Sequence, residues 1–333
     1  MKQLIYELCS IDGVSGNEES VASYIKEYVK PYADEMFSDV LGNLYVFKKG
    51  KKCDKIIMVT AHMDEVGFIV KQITEDGYLK FAVVGGIDSR VMLGTYVRIG
   101  DIKGIIGIKA HHLTTAEERK KMMPVRDMYI DIGAKSWEDA EKYVKIGDYI
   151  AFDTYPHDLG KLCTAKALDD RYGCAVMMNL IKEKLENDVW FVFCVQEELG
   201  GAGAIAASNR LKPDIALVLE TTTAADLPGV KGEKRVCSVG GGAVIPFADR
   251  GTIYDEGLRE IAMRKADRLS LKHQTKTMVA GATDGSEISV SGEGVRTIAI
   301  SLASRYLHTG VCTASFEDMN AVLDITRSFI NTL

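Results

Sequence analysis

The chain has 333 residues, 47% hydrophobic and 26% charged, with a formal net charge of −6. That length can bury a full core and suggests two domains or one large one. The acidic balance offers no basic patch for nucleic acid or anionic lipid, and no apolar run nears the ~20 residues that span a bilayer.

The opening segment, MKQLIYELCSIDG, is polar within a few residues and lacks a signal-peptide pattern. Seven scattered cysteines, never spaced as CxxC, read as reduced thiols in a cytoplasmic protein. Residues 15–30 carry a capping signal and apolar Val21, Tyr24, Ile25, Tyr28 and Val29, an amphipathic helix ending before Pro31. A strand is expected over Gly42–Lys48. The run Ile56–Thr60 then reads as a buried parallel strand leading to His62. From about Val66 the texture changes. GFIVKQITEDGYLKFAVVGG looks like a hairpin around a Glu-Asp-Gly turn, and VMLGTYVRI and IKGIIGIKA continue as short strands broken by glycine. A polar helix is expected over TTAEERKKMM, then YIDIG, a helix in SWEDAEKYV and a strand in GDYIAFDTY. This stretch is β-rich while both flanks are α/β. It reads as a barrel-like domain, residues 66–160, inserted into a larger domain built from 1–65 and 161–333; the alternative is one continuous α+β domain. Beyond residue 160 the sequence predicts a helix over Asp170–Lys184, strands over Val189–Gln196 and Pro213–Leu219, and a helix beginning in GGAGAIAAS. The helix Glu256–Arg268, strand His273–Val279, short helix Ser286–Ser291, strand Val295–Ser301 and closing helix Phe316–Thr332 complete it. The fold class is therefore α/β: a mixed-sheet α/β/α domain with a smaller β-barrel-like insertion.

Five segments place acids or histidine at element ends, where α/β sheets gather ligands. His62 and Asp64 follow the first buried strand, two residues apart, as a metal ligand and its orienting partner would; a surface histidine beside a solvated aspartate is the alternative. Asp169 and Asp170 precede a helix, and capping alone accounts for Asp170. Glu197 and Glu198 leave a strand together. Neighbouring strand residues face opposite ways, so one acid can hold a metal while the other faces the reacting water. Glu220 ends an apolar strand, and His308 follows another. Acids clustered without counter-charge repel one another. Three ligand carboxylates and a bridging hydroxide balance two divalent ions, and imidazoles with carboxylates suit Zn, Co or Mn. Paired ions ~3.5–4 Å apart activate a shared water and polarise a carbonyl.

AHMDEVGF, KALDDRYG, VQEELGGAGA, ATDGSEI and RYLHT occur here in the order found in M42-type metallo-aminopeptidases. The chain resembles those tetrahedral-aminopeptidase and glutamyl-aminopeptidase-like enzymes, some of which carry endoglucanase labels, from about residue 5 to its end. The resemblance implies that Asp169 bridges two metals, that His62 and Glu220 complete one site, and that Glu198 and His308 complete the other. It implies Glu197 as general base and Asp64 as the residue that orients His62, the pair counted as catalytic. It further implies homo-oligomers, often dodecamers built from dimers through the inserted domain, and short peptides trimmed from the free amino end. Glu220 stands where the family usually has Asp; its longer side chain must fold back or shift its ion, lowering affinity there. Thr309-Gly310-Val311-Cys312 replaces a Ser-Pro-acid segment and alters the loop beside the site. Thr283-Asp284 matches a family turn and is read as structural or substrate-adjacent. The alternatives are a deacylase of N-acyl amino acids or sugars using the same metal chemistry, and a degenerate non-catalytic member.

Overall fold

The computed structural model describes residues 1–117 and 120–333. It opens with helices α1 (Lys2–Ser10) and α2 (Glu19–Val29). The second buries Val21, Ile25 and Val29, whose spacing of four puts them on one face. Strands β1 (Glu35–Ser38), β2 (Leu44–Lys48) and β3 (Lys52–His62) follow. Next come β4 (Gly67–Ile73), β5 (Leu79–Val84), β6 (Tyr96–Ile99), β7 (Ile102–Gly107), β8 (Tyr129–Asp131), the short helix α3 (Trp137–Ala140) and β9 (Tyr149–Phe152). Those six strands close on themselves in the order β4-β5-β8-β7-β6-β9. The barrel has its own core, in which Phe68 packs edge-on against Phe81 and Phe152, with ring centroids 5.1 and 5.4 Å apart.

The chain then returns through β10 (His157–Asp158), β11 (Leu162–Ala165), α4 (Leu168–Leu180), β12 (Asn187–Cys194), α5 (Ala202–Leu211) and β13 (Ile215–Thr223). It ends with β14 (Ala243–Val244), α6 (Glu256–Arg268), β15 (His273–Gln274), α7 (Gly285–Ser289), β16 (Arg296–Arg305), β17 (Cys312–Ser315) and α8 (Phe316–Ile330). All strands outside the barrel form one 11-stranded mixed sheet, whose main path runs β1-β2-β12-β3-β13-β16-β17-β11-β10. Its centre, β12-β3-β13-β16, is parallel, and its flanks are antiparallel. Strand alternation explains the unbroken apolar runs. Ile57, Val59 and Ala61 of β3 enter the core shared with α1, α2, α4, α6 and α8, while Met58 enters the one shared with α5 and α7.

Several elements differ from the sequence reading. Helix α4 begins at Leu168 and ends at Leu180, short of Lys184. Strand β13 runs on to Thr223 and β16 to Arg305, because the two pair in register as far as Thr223 and Ser304 and β17 pairs with Arg305. Only His273 and Gln274 of the expected strand 273–279 pair with a neighbour; the Thr277 N–H turns instead to the Val236 carbonyl. In SWEDAEKYV only Trp137–Ala140 is helical, capped by Ser136. The polar helix expected over 114–123 includes Glu118 and Arg119, which lie outside the described residues. Among the described residues, no helix is long and apolar enough to cross a membrane.

Candidate active site

Strand β3, paired with β12 as far as its last residue, brings His62 to the end of the sheet, 2% exposed. Its Nδ1 lies 3.1 Å from the Asp64 backbone carbonyl and 3.4 Å from Asp64 Oδ1. A carbonyl only accepts, so Nδ1 carries a hydrogen, and in the neutral ring Nε2 presents its lone pair to the cleft. The Asp64 carboxylate also accepts from the backbone N–H groups of Glu197 (3.0 Å) and Glu198 (3.1 Å), tying the second acidic segment to the first.

The start of α4 divides labour between adjacent aspartates. Neither Asp169 (φ −85°, ψ 105°) nor Asp170 (φ −121°, ψ 39°) has helical dihedrals. Asp170 Oδ1 accepts from the Gly173 N–H at 3.0 Å and so caps the regular helix. Asp169 is left facing the cleft. Its Oδ1 lies 3.5 Å from His62 Nε2 and its Oδ2 3.5 Å from His308 Nε2. Oδ1 is buried with no hydrogen-bond partner.

Glu197 and Glu198 occupy a 3₁₀ turn, Glu197–Leu199, entered and left through left-handed Gln196 and Gly200. Their different directions therefore come from the turn and not from strand alternation as the sequence suggested. Glu198 Oε1 approaches His308 Nε2 at 3.4 Å, and Glu197 Oε2 lies 4.0 Å from His62 Nε2. Glu220 sits inside β13, not at its end. Its Oε1 folds back to accept from the Thr221 N–H at 3.0 Å and lies 3.5 Å from His62 Nε2. His308 lies in the loop after β16, at φ 57°. Two groups with atoms mutually within 4.8 Å result: His62, Asp169 and Glu220, and Asp169, Glu198 and His308. The fold brings all seven singled-out residues into one cleft.

Charge in this cluster is unbalanced. Burial drives the Glu220 carboxyl well above the usual range, with Asp169 adding to it. Burial also raises Glu197 far above that range and takes Glu198 up to about 7. Asp169 is held well below it, because its contacts with His308 and His62 outweigh its burial. His308 rises to about 9 through its contact with Asp169, and His62 rises despite burial because Glu220, Asp169 and Asp64 surround it. Without added positive charge, the carboxylates draw protons onto themselves and onto the imidazoles.

Beneath the cluster lies an ionic group that the sequence reading missed. Glu65 Oε1 accepts from Lys166 Nζ at 2.6 Å and from the Gly13 N–H at 3.1 Å, with Arg171 Nη2 3.5 Å away. Glu65, Lys166 and Arg171 are all at most 2% exposed. The Arg171 guanidinium also grips the carbonyls of Met63 (2.6 Å), Leu8 (2.7 Å) and Ile11 (3.0 Å). The signal was present: two cations flank the aspartate pair in KALDDR, where Lys166 just precedes an almost wholly buried helix and Arg171 lies in its first turn. A cavity of about 840 Å³ opens beside the cluster, lined among others by Thr221, Asp249, Tyr254, Lys276, Met278 and Leu307. Thr283 also lines it, while Asp284 is buried and its carboxyl raised to about 7, burial being the main cause.

Residues 42–325 match the model of the M42 glutamyl aminopeptidase family. The chain belongs to the M42 peptidase family. A relative from Acetivibrio thermocellus named as an aminopeptidase is 40% identical over 96% of this chain and 95% of its own. The TET aminopeptidase from the marine sediment archaeon Thaumarchaeota archaeon SCGC AB-539-E09 superposes with a TM-score of 0.96 at 35% identity, covering 100% and 96% of the two chains. The Pyrococcus horikoshii TET1 peptidase, which can assemble into a tetrahedron or a large octahedral shell, gives 0.88 at 31% identity over 100% and 99%. As an M42 peptidase the chain is a peptide hydrolase of a metal-dependent family, and its large mixed sheet with a separate closed barrel is the architecture of these neighbours.

Proposed function

We propose that this M42 peptidase is a dinuclear aminopeptidase that removes N-terminal residues from short peptides, with Glu197 as general base. One observation carries the reading: Asp169 turns one carboxylate oxygen toward each imidazole, 3.5 Å from either Nε2. The donor set fits divalent ions, since two imidazole nitrogens, which would give up their extra proton to a bound cation, face three carboxylates, and the buried Asp169 Oδ1 has no hydrogen-bond partner. His62, Asp169 and Glu220 would hold one ion, and Asp169, Glu198 and His308 the other. Zn, Co or Mn bound there supply positive charge that polarises a scissile carbonyl and lowers the pKa of water.

The chain's own residues do the rest. Glu197, whose side chain is 17% exposed, reaches the cleft without lying in either ligand group. Its carboxylate takes the proton of the attacking water, keeps it within the cleft, and returns it to the departing amine. Asp64 holds the Glu197–Glu198 turn against His62 through two backbone N–H groups, so that base and ligands keep a common frame. The large cavity accommodates the N-terminal side chain. We assign this chemistry to residues 1–65 and 161–333, and contacts between subunits to 66–160. The shell-forming archaeal relative supports a homo-oligomeric state, and the PhTET1-12s structure, a dodecamer, supports that size. Seven free cysteines support a reducing, cytoplasmic setting.

Glu197→Gln tests the assignment. Metal content stays at the wild-type level while turnover of aminoacyl chromogenic substrates falls by roughly 10²–10⁴-fold. Full activity removes Glu197 as base. Hydrolysis confined to N-acetylated compounds replaces the aminopeptidase with a deacylase.

A further inference from the structure

The barrel touches the ligand cluster through two consecutive glycines. After β5 the chain passes through Gly85 and Gly86, and the Gly86 carbonyl accepts from Nδ1 of His308 at 2.7 Å. As at His62, a carbonyl acceptor puts the hydrogen on Nδ1 and leaves Nε2 free to face Asp169 and Glu198. The two imidazoles are otherwise held differently. His62 is 2% exposed and is oriented by Asp64, two residues along its own segment. The His308 side chain is 38% exposed, so packing leaves its ring plane to be set by this bond from another part of the fold.

Both glycines are seated against the cluster. A Cβ on Gly86 would stand 3.3 Å from His308 Nδ1 and 3.7 Å from Cε1. One on Gly85 would stand 2.7 Å from Val66 Cγ1 and 3.3 Å from both Cβ and Oε2 of Glu198, at a residue whose φ is +79°. Among the described residues no barrel backbone group bonds to the other pair of side chains: His62 is held by Asp64, and Glu220 by its own strand and the adjoining Thr221 N–H.

We propose that Gly85–Gly86 is a positioning element supplied by the barrel to one half of the metal site: its backbone sets the tautomer and ring plane of His308, so ion affinity at Asp169–Glu198–His308 depends on how the barrel is seated, while that at His62–Asp169–Glu220 does not. This rests on the dinuclear reading above. It makes the barrel part of the active site as well as a structural insertion, and links its seating to the filling of one ion position.

The test is calorimetric titration of chelator-stripped full-length protein with Co²⁺ or Zn²⁺. His308→Ala and Glu220→Ala identify which of two binding steps belongs to which half. Gly86→Ala is expected to weaken the step lost in His308→Ala by about 10–100-fold and to leave the step lost in Glu220→Ala unchanged. Gly85→Ala does the same. Gly133→Ala is the matched control: it lies in the same barrel region at φ +80°, with open space around its Cβ position, and should leave both steps within about twofold of wild type. Unchanged steps in Gly86→Ala, or equal weakening of both steps in Gly86→Ala and Gly133→Ala, overturn the proposal while the dinuclear reading stands. A wild-type protein that takes up fewer than two ions overturns both.

Discussion

Glu65→Gln isolates the buried ionic group beneath the site. The substitution keeps the side chain's shape and removes its charge, leaving Lys166 and Arg171, 1% and 0% exposed, without their shared carboxylate. Among the described residues only the Asp12 carboxylate still pairs with Lys166, at 2.9 Å, and it is 31% exposed and already paired with Arg98. Leaving a buried charge uncompensated costs about 3–5 kcal/mol. With an unfolding entropy of about 2.1 cal/mol/K per residue, a chain this long loses roughly 4–7 °C of Tm. Differential scanning calorimetry on stripped protein reads the shift directly. Lys166→Met alone and combined with Glu65→Gln completes a double-mutant cycle, in which the double variant is less destabilised than the two single effects added together. A Glu65→Gln melting temperature within 1 °C of wild type (roughly the cost of a neutral surface change), or a fully additive cycle, would refute the idea that this pair supports the strand ends carrying the ligands.

Asp64→Asn removes one of the two oxygens that hold the Glu197 and Glu198 N–H groups, and should lower metal affinity or turnover by about 10–100-fold; kinetics at saturating metal separate the two effects. Chelation should abolish hydrolysis and lower Tm, since the ions bind the folded state alone, and added Zn, Co or Mn should restore both. Arg305→Met tests a bridge just ahead of the His308 loop, where Arg305 Nε donates to Asp226 Oδ1 at 2.7 Å. Burial pushes the Asp226 carboxyl up, but the Arg305 hydrogen bonds prevail and its pKa lies below the usual value. A depressed carboxylate stabilises the fold above its unfolded pKa of about 3.9 and loses that contribution as pH falls through the folded value. The stability gap between Arg305→Met and wild type in urea titrations should therefore narrow below about pH 4; a gap that widens there refutes the pairing.

The parallel centre of the sheet was legible because strands buried on both faces leave long apolar runs, and each of β3, β12, β13 and β16 is followed or interrupted by a ligand-type residue. The aspartate pair of α4 was legible for the same reason, with one member in excess of what a cap requires. The short flanking strands β1, β10, β11 and β17 were not, because two to four residues give no period to read. Directions of side chains were also hidden. Glu197 and Glu198 diverge because Gln196 and Gly200 adopt left-handed backbone, and Glu220 lies within its strand because β16 pairs past it. The partnership of Glu65 with Lys166 spans 101 residues and could only emerge from coordinates. Gly85–Gly86 read as the end of a hairpin, with nothing local to tie it to His308, 222 residues away from Gly86.

The six barrel strands close on themselves and so present no edge strand among the described residues, and the main path of the great sheet stops at one end in a four-residue strand and at the other in a two-residue one. Neighbouring copies therefore find little exposed ladder to extend. In the homo-oligomer proposed above, side chains would then carry most of the contact between copies, and point changes on the surface should separate copies while each subunit stays folded.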